Sequence, residues 1–285
     1  PIDKQYSRNL GTGNGIELVQ VRRAEACGLQ SVLFVSQTNP ATAADQALVN
    51  RLTTAGYAVT VRSESQANAQ EALGKDLVII SDSVTSGNVN TKFRDVMLPV
   101  INWEPSLFDD MMMTGTTSGT HYGDLANQTQ LNIVDAGHPL AAGLATGLVA
   151  TTSSPQLYFW GAPSANANVV ATLNGYPGRA AVFGYEAGAT MVGMKAPARR
   201  VGFFNGSSSA FTANGWALYD AAVQWAVQCG AVSSFSVVDA DTGAVLQSLA
   251  EGDTLNLTNL PASIALRANT SPARTGSVQF TFDGQ

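Results

Sequence analysis

Cysteine, histidine, lysine and charge in general are scarce in this chain of 285 residues. The two cysteines, Cys27 and Cys229, leave the stretch from Gly28 to Gln228 without a thiol, so it offers no cysteine nucleophile. A G-x-S-x-G elbow is missing as well, which removes the serine version of that geometry. Glutaminase and ordinary serine-hydrolase chemistry are therefore not expected. With His121 and His138 as the only histidines, a multi-histidine zinc site is excluded, and neither a metal nor a cofactor is expected. Charged residues make up 13% of the chain, against about 25% in a typical globular protein. The net charge of -6, with no run of Lys or Arg, argues against nucleic-acid binding. The longest apolar runs, Leu77 to Ile80 and Leu98 to Ile101, are strand-sized and far below the roughly 20 residues that span a bilayer.

What is abundant is Ala, Gly, Ser, Thr and Asn, a balance that points to an extracellular or cell-surface setting. A start at Pro1 without Met suits a processed protein or a fragment of a longer one. Residues 1–28 read as an extension with one strand, Ile16 to Val21. Residues 29–229 alternate apolar runs with helical patterns, which implies right-handed crossovers and a mostly parallel sheet with helices on both faces. The expected strands are Ser31 to Ser36, Tyr57 to Arg62, Leu77 to Ser81 and Leu98 to Trp103. Helices are expected over Thr42 to Ala55, Gln66 to Leu73 and Val89 to Val96. After a Gly/Thr/Ser-rich loop come shorter strands, some of them antiparallel, at Gln156 to Trp160, Val169 to Leu173, Ala180 to Tyr185, Thr190 to Met194 and Arg199 to Phe204. A last helix, capped by Thr212, carries Trp216, Tyr219, Val223 and Val227 at helical spacing. Residues 230–285 have an all-β texture of about five strands, at Phe235 to Val238, Val245 to Leu249, Leu255 to Leu257, Ile264 to Ala268 and Val278 to Phe282, fewer than the seven usual in an immunoglobulin-like sandwich. Cys27 and Cys229 bracket the α/β domain, where a disulfide would clasp its ends; two independent buried thiols are the alternative.

The segments Lys92 to Gly115, Ile133 to Leu144, Tyr185 to Gly193 and Ala196 to Phe204 resemble a flavodoxin-like, class I glutamine amidotransferase-like (ThuA-like) module of large secreted bacterial multidomain proteins. Val237 to Leu249 and Arg267 to Gly284 similarly resemble the first part of the immunoglobulin-like sandwich that often follows it. The resemblance implies the fold and a longer parent chain, and supplies no reaction.

Ligands of parallel sheets bind beyond the carboxyl ends of the strands. Those ends are expected to deliver Asp82, Glu104, Glu186 and Asn205, with Gln37 beside them and His121 in a covering loop. Such carboxylates can divide acid and base roles or hold a cation; alternatively each caps a helix or a loop. His138, before Pro139, reads as a capping residue. Asp239, Asp241 and Gly243 read as a hairpin turn rather than a calcium loop. With no nucleophile and an incomplete sandwich, the expected function is a non-catalytic extracellular structural or adhesion module. An open sandwich edge would favour self-association into a filament, with Ile16 to Val21 as one donor strand, or contact with other surface proteins. The alternative is a carbohydrate-binding or carbohydrate-active protein using those carboxylates, with Trp103, Trp160, Tyr122 and Tyr185 as sugar faces.

Overall fold

The computed structural model describes residues 30–204, 207–227, 231–249, 259–261 and 263–271. The expected strands Ile16 to Val21, Leu255 to Leu257 and Val278 to Phe282, and the Cys27–Cys229 bridge, lie outside them. The described residues fall into an α/β unit, within 28–228, and a small β unit after it.

The α/β unit begins β1 (Ser31–Ser36), α1 (Ala43–Thr54), β2 (Ala58–Ser63), β3 (Leu77–Ile80), α2 (Ser86–Val89) and β4 (Val100–Asn102). There follow β5 (Tyr122–Gln128), β6 (Gln130–Ile133), β7 (Gly147–Ala150), β8 (Gln156–Gly161), β9 (Asn168–Leu173), β10 (Tyr176–Tyr185), β11 (Arg200–Gly202) and α3 (Ala213–Val227). The main strand order is β2-β1-β3-β4-β11-β10-β9-β6-β7. The first five of these strands are mutually parallel. From β10 outward the neighbours are antiparallel, and β5 and β8 pair antiparallel off the main path.

The central strands are continuous apolar runs because both faces of the sheet are covered. Alternation divides them cleanly. Val32, Phe34, Leu77, Ile79 and Ile101 join one buried cluster with Leu48 and Leu52 of α1 and Leu218 and Val223 of α3. Leu33, Val35, Val78, Ile80 and Val100 join another with Phe93, Leu107, Phe108, Met111 and Met113. The second face corrects one expectation. Long helices cover only the first face; the other carries the single turn α2, short 3₁₀ turns and the methionine-bearing loop. Those segments are too short and too rich in Gly, Ser and Asn to sustain a helix.

Local signals set the helix ends. Thr42 accepts the N–H of Asp45 at 3.2 Å to cap α1, and Gly56, at φ +94°, lets the chain leave the other end. Thr212 accepts from Gly215 at the start of α3. The helix expected over Gln66 to Leu73 is a 3₁₀ turn, Ala69–Ala72, and Val89 to Val96 tightens into a 3₁₀ turn at Asn90–Phe93. Thr190 to Met194 is not a strand; Thr190 makes one isolated bridge to Lys195. β5, β6 and β7 were not expected, because their mixed polar residues lack a clear period.

The small unit is a three-stranded antiparallel sheet of β12 (Ala231–Asp239), β13 (Val245–Leu249) and β14 (Ile264–Ser271), in the order β13-β12-β14. Asp239 accepts the N–H groups of Asp241 and Thr242 at 2.9 and 2.8 Å, and Gly243 takes φ +71°, which closes the expected hairpin turn.

Candidate functional site

The carboxyl ends of β1, β3 and β4 bring polar residues together around the start of α1. Asp45, in the first turn of α1, is 1% exposed. One of its carboxylate oxygens accepts the hydroxyl of Ser81; the other accepts those of Ser36 and Ser83, each at 2.6 Å. Ser81 Oγ also accepts the N–H of Ser83 at 3.0 Å. Three hydroxyls compensate the burial of this charge, and they tie α1 to the ends of β1 and β3. The turn so held presents Asp82.

Glu104 follows β4 by two residues. Its carboxylate accepts the N–H of Ser106 at 3.0 Å and caps the 3₁₀ turn Pro105–Leu107. Burial raises its carboxyl above the usual glutamate range against the lowering effect of the Ser106 hydrogen bonds, and Asp82 and Asp124 raise it further. Asp82 and Asp124 thus act electrostatically on Glu104.

Beside them is a recess of about 160 Å³ lined by Ala44, Asp45, Leu48, Asp82, Trp103, Gln156, Leu157, Ser207 and Ser208. Trp103 is 1% exposed, and its indole Nε1 has no hydrogen-bond partner among the described residues. A larger hollow of about 570 Å³ lies between α1 and α3. Its charged groups satisfy each other: Arg51 binds Asp220 through two bonds of 2.8 and 2.5 Å and stacks on Trp216 at 4.9 Å. The smaller recess, at the strand ends, is the better placed for chemistry.

The residues expected at the site separate. Asp82 and Glu104 stand at the same edge. Glu186 does not: it follows Tyr185, which pairs with Arg200 at the start of β11. Because β10 runs antiparallel, its carboxyl end lies at the amino edge of the parallel strands. There Glu186 binds Arg199 at 2.8 Å, and Arg199 also stacks on Trp225 at 4.7 Å. His121 shapes its own loop, accepting the N–H of Thr117 at 3.0 Å and packing on Gly115. Asn205 lies outside the described residues. Gln37 donates its backbone N–H to Ser83 Oγ at 3.0 Å. His138 caps the 3₁₀ turn Pro139–Ala141 by accepting from Leu140.

Sequence reasoning missed Asp45, the serines around it and the Trp103 N–H. One signal was present: Asp45 precedes Leu48 and Val49 by three and four residues, so a charge sits on the apolar stripe of α1.

Solved structures share this architecture at low identity. One is described as a GMP synthase component from Thermoplasma acidophilum, 9% identical over 70% of this chain and 97% of that one, with a TM-score of 0.43. Another is a glutamine amidotransferase from Thermotoga maritima, 7% identical over 63% of this chain and 76% of that one, with a TM-score of 0.38. The α/β unit resembles the class I amidotransferase fold. No family model matches the sequence, and no curated protein does.

The expectation of a non-catalytic structural or adhesion module is corrected: the similar solved structures are described as a GMP synthase component and a glutamine amidotransferase, not as structural or adhesion proteins, and at such identity the likeness concerns fold alone. The carbohydrate alternative gains nothing from the structure either. Of the four aromatic residues expected as sugar faces, Trp103, Trp160 and Tyr185 are buried at 1%, 3% and 0% exposure. Tyr185 donates to the Met113 carbonyl, and Trp160 donates to the Asp124 carbonyl.

Proposed function

We propose that the α/β unit is an enzyme working by acid–base chemistry on a small polar molecule, with its reacting centre at the carboxyl ends of β3 and β4. The observation that supports this reading is Glu104: a largely buried carboxyl whose proton is held more tightly than usual, on which Asp124 and Asp82, itself a lining residue of the recess, act electrostatically. A carboxyl tuned in this way donates or accepts a proton closer to neutral pH than a surface glutamate does. Asp82, on the turn held by Asp45, would orient the substrate. Amidotransferase chemistry by a cysteine nucleophile is not part of the proposal, since the sequence has no Cys between Gly28 and Gln228. The low charge density supports an extracellular setting, and the three-stranded sheet supports reading the C-terminal unit as part of an immunoglobulin-like sandwich.

The test is a panel of small amides, esters and amines screened for turnover and for thermal shift of the full chain. Any response should fall at least tenfold in Glu104→Gln and in Asp82→Asn, about 1.4 kcal/mol, while Arg51→Ala, on the remote hollow, leaves it unchanged. Responses indifferent to both carboxylate substitutions would sink the proposal.

A further inference from the structure

Arginines of the α/β unit find oxygen acceptors within the fold, with one exception. Arg51, Arg62, Arg94 and Arg199 bind the carboxylates of Asp220, Glu71, Asp95 and Glu186. Arg200 is fully buried and donates to the backbone carbonyls of Arg94, Val96 and Leu98. Arg179 is the exception: among the described residues its side chain has neither a hydrogen bond nor an ion pair. Its guanidinium instead lies over two rings, 4.6 Å from the centre of Trp160 and 4.5 Å from that of Tyr176. Aromatic faces attract the positive charge but do not replace an oxygen acceptor, so the N–H donors of the fork remain available to a group from outside.

The second observation is an irregularity of the sheet. On β10, Tyr176 pairs with Leu173 of β9 and Ala180 pairs with Thr172, so Pro177, Gly178 and Arg179 are extra residues with no partner on β9. A bulge of this kind re-aims side chains, and bulges are enriched beside functional sites. Here it brings Arg179 onto Tyr176, while the pairing of Ala180 with Gly161 of β8 sets Arg179 beside Trp160. Trp160 is a fixed inner wall: it is 3% exposed, its Nε1 donates to the Asp124 carbonyl at 3.4 Å, and a Cβ at Gly123 would stand 3.2 Å from its ring. Tyr176, 43% exposed, is the outer wall. The guanidinium is thus held in place before a ligand arrives, which lowers the ordering cost of binding.

A guanidinium fork matches a planar carboxylate through two parallel hydrogen bonds. One guanidinium balances one negative charge, and in a chain of net charge -6 a monoanion is less opposed than a phosphate dianion. The exposed part of the Tyr176 ring adds apolar contact beside the charge. We infer that the bulge of β10 is a binding site for a carboxylate joined to an apolar group, the carboxylate on Arg179 and the apolar group on Tyr176. A free acid and an acidic side chain of a polypeptide offer the same chemistry to it. The site uses no side chain of the proposed acid–base centre, so it stands whether or not that reading holds.

The experiment follows the arginine Nε–H and tryptophan indole N–H resonances of the full chain during separate titrations with benzoate, benzamide, inorganic phosphate and the peptide acetyl-Leu-Glu-Leu-amide. Benzoate or the peptide should shift the Arg179 and Trp160 signals saturably, and the tighter of the two identifies the source of the carboxylate. Benzamide, which keeps the ring and loses the charge, should bind at least about tenfold more weakly than benzoate, and phosphate should bind more weakly than the better carboxylate. Arg179→Lys keeps the charge without the planar fork and should weaken binding by a similar factor while the Trp103 and Trp216 indole signals stay in place. If those signals move, Tyr176→Leu, which removes the outer wall and leaves Arg179, gives the second reading and should also weaken binding. Arg179 signals unmoved by both carboxylates would overturn the inference. So would benzamide binding as well as benzoate, phosphate binding in preference to both carboxylates, or binding indifferent to Arg179→Lys and Tyr176→Leu.

Discussion

The carboxyl of Glu104 has less water around it than a surface glutamate, and Asp82 and Asp124 repel its charge. Its proton affinity is thus higher in the folded chain than in the unfolded one, so the folded state binds the proton over a pH range where the unfolded state has lost it. The stability linked to this group is fully present below the ordinary glutamate pKa and is lost as pH rises through the higher folded value. Glu104→Gln keeps an acceptor for the Ser106 N–H and removes that loss. The variant should therefore be more stable than the parent at neutral pH, with the gap closing toward the ordinary glutamate pKa, as read by urea unfolding at both pH values. A gap that widens on acidification would show the sign to be wrong. Stability gained where turnover is lost is the trade-off expected of a strained functional group. Trp103 belongs to the same scale: its ring stacks on Phe203 at 4.9 Å and meets Tyr219 edge-on at 5.5 Å, so it is held firmly while its N–H is left for another acceptor.

Elements meet at Asp45. Helix α1 could slide along the sheet on apolar contacts alone, but the three serine hydroxyls fix its first turn against the ends of β1 and β3. Asp45→Ala removes the shared acceptor of three hydroxyls and should destabilise the chain by about 2–4 kcal/mol. Asp45→Asn, which retains one oxygen acceptor, should cost less. Equilibrium denaturation checks both; an Asp45→Ala variant as stable as the parent would mean that the serines find other partners without loss. Close packing likewise governs the passage from parallel to antiparallel strands. A Cβ at Gly202 of β11 would stand 2.3 Å from the ring of Phe183 in β10, so the side chain of one strand occupies the space vacated by the other. This contact lies beside the strand whose reversed direction moves Glu186 away from Asp82 and Glu104.

For the whole molecule, the contacts among residues 28–228 form a unit distinct from the C-terminal sheet. Its two buried clusters are built from its own residues. A chain of residues 28–228 alone should unfold cooperatively and retain the helical signal of α1 and α3, measured by circular dichroism; a gradual, non-cooperative melt would show that the α/β unit depends on the rest of the chain. The sequence by itself determined the apolar β1, β3 and β4, the capped helices α1 and α3, and the absence of a thiol nucleophile, because period, caps and residue identity are local properties. It also placed Asp82 and Glu104 at the ends of consecutive parallel strands. Tertiary structure alone decided the direction of β10, the strands β5 to β7, the isolation of Glu186, the single-sided helix layer and the burial of Trp103 and Tyr185. Those depend on which strand edge and which face each segment meets, and such pairings between residues distant in sequence carry no local period to read.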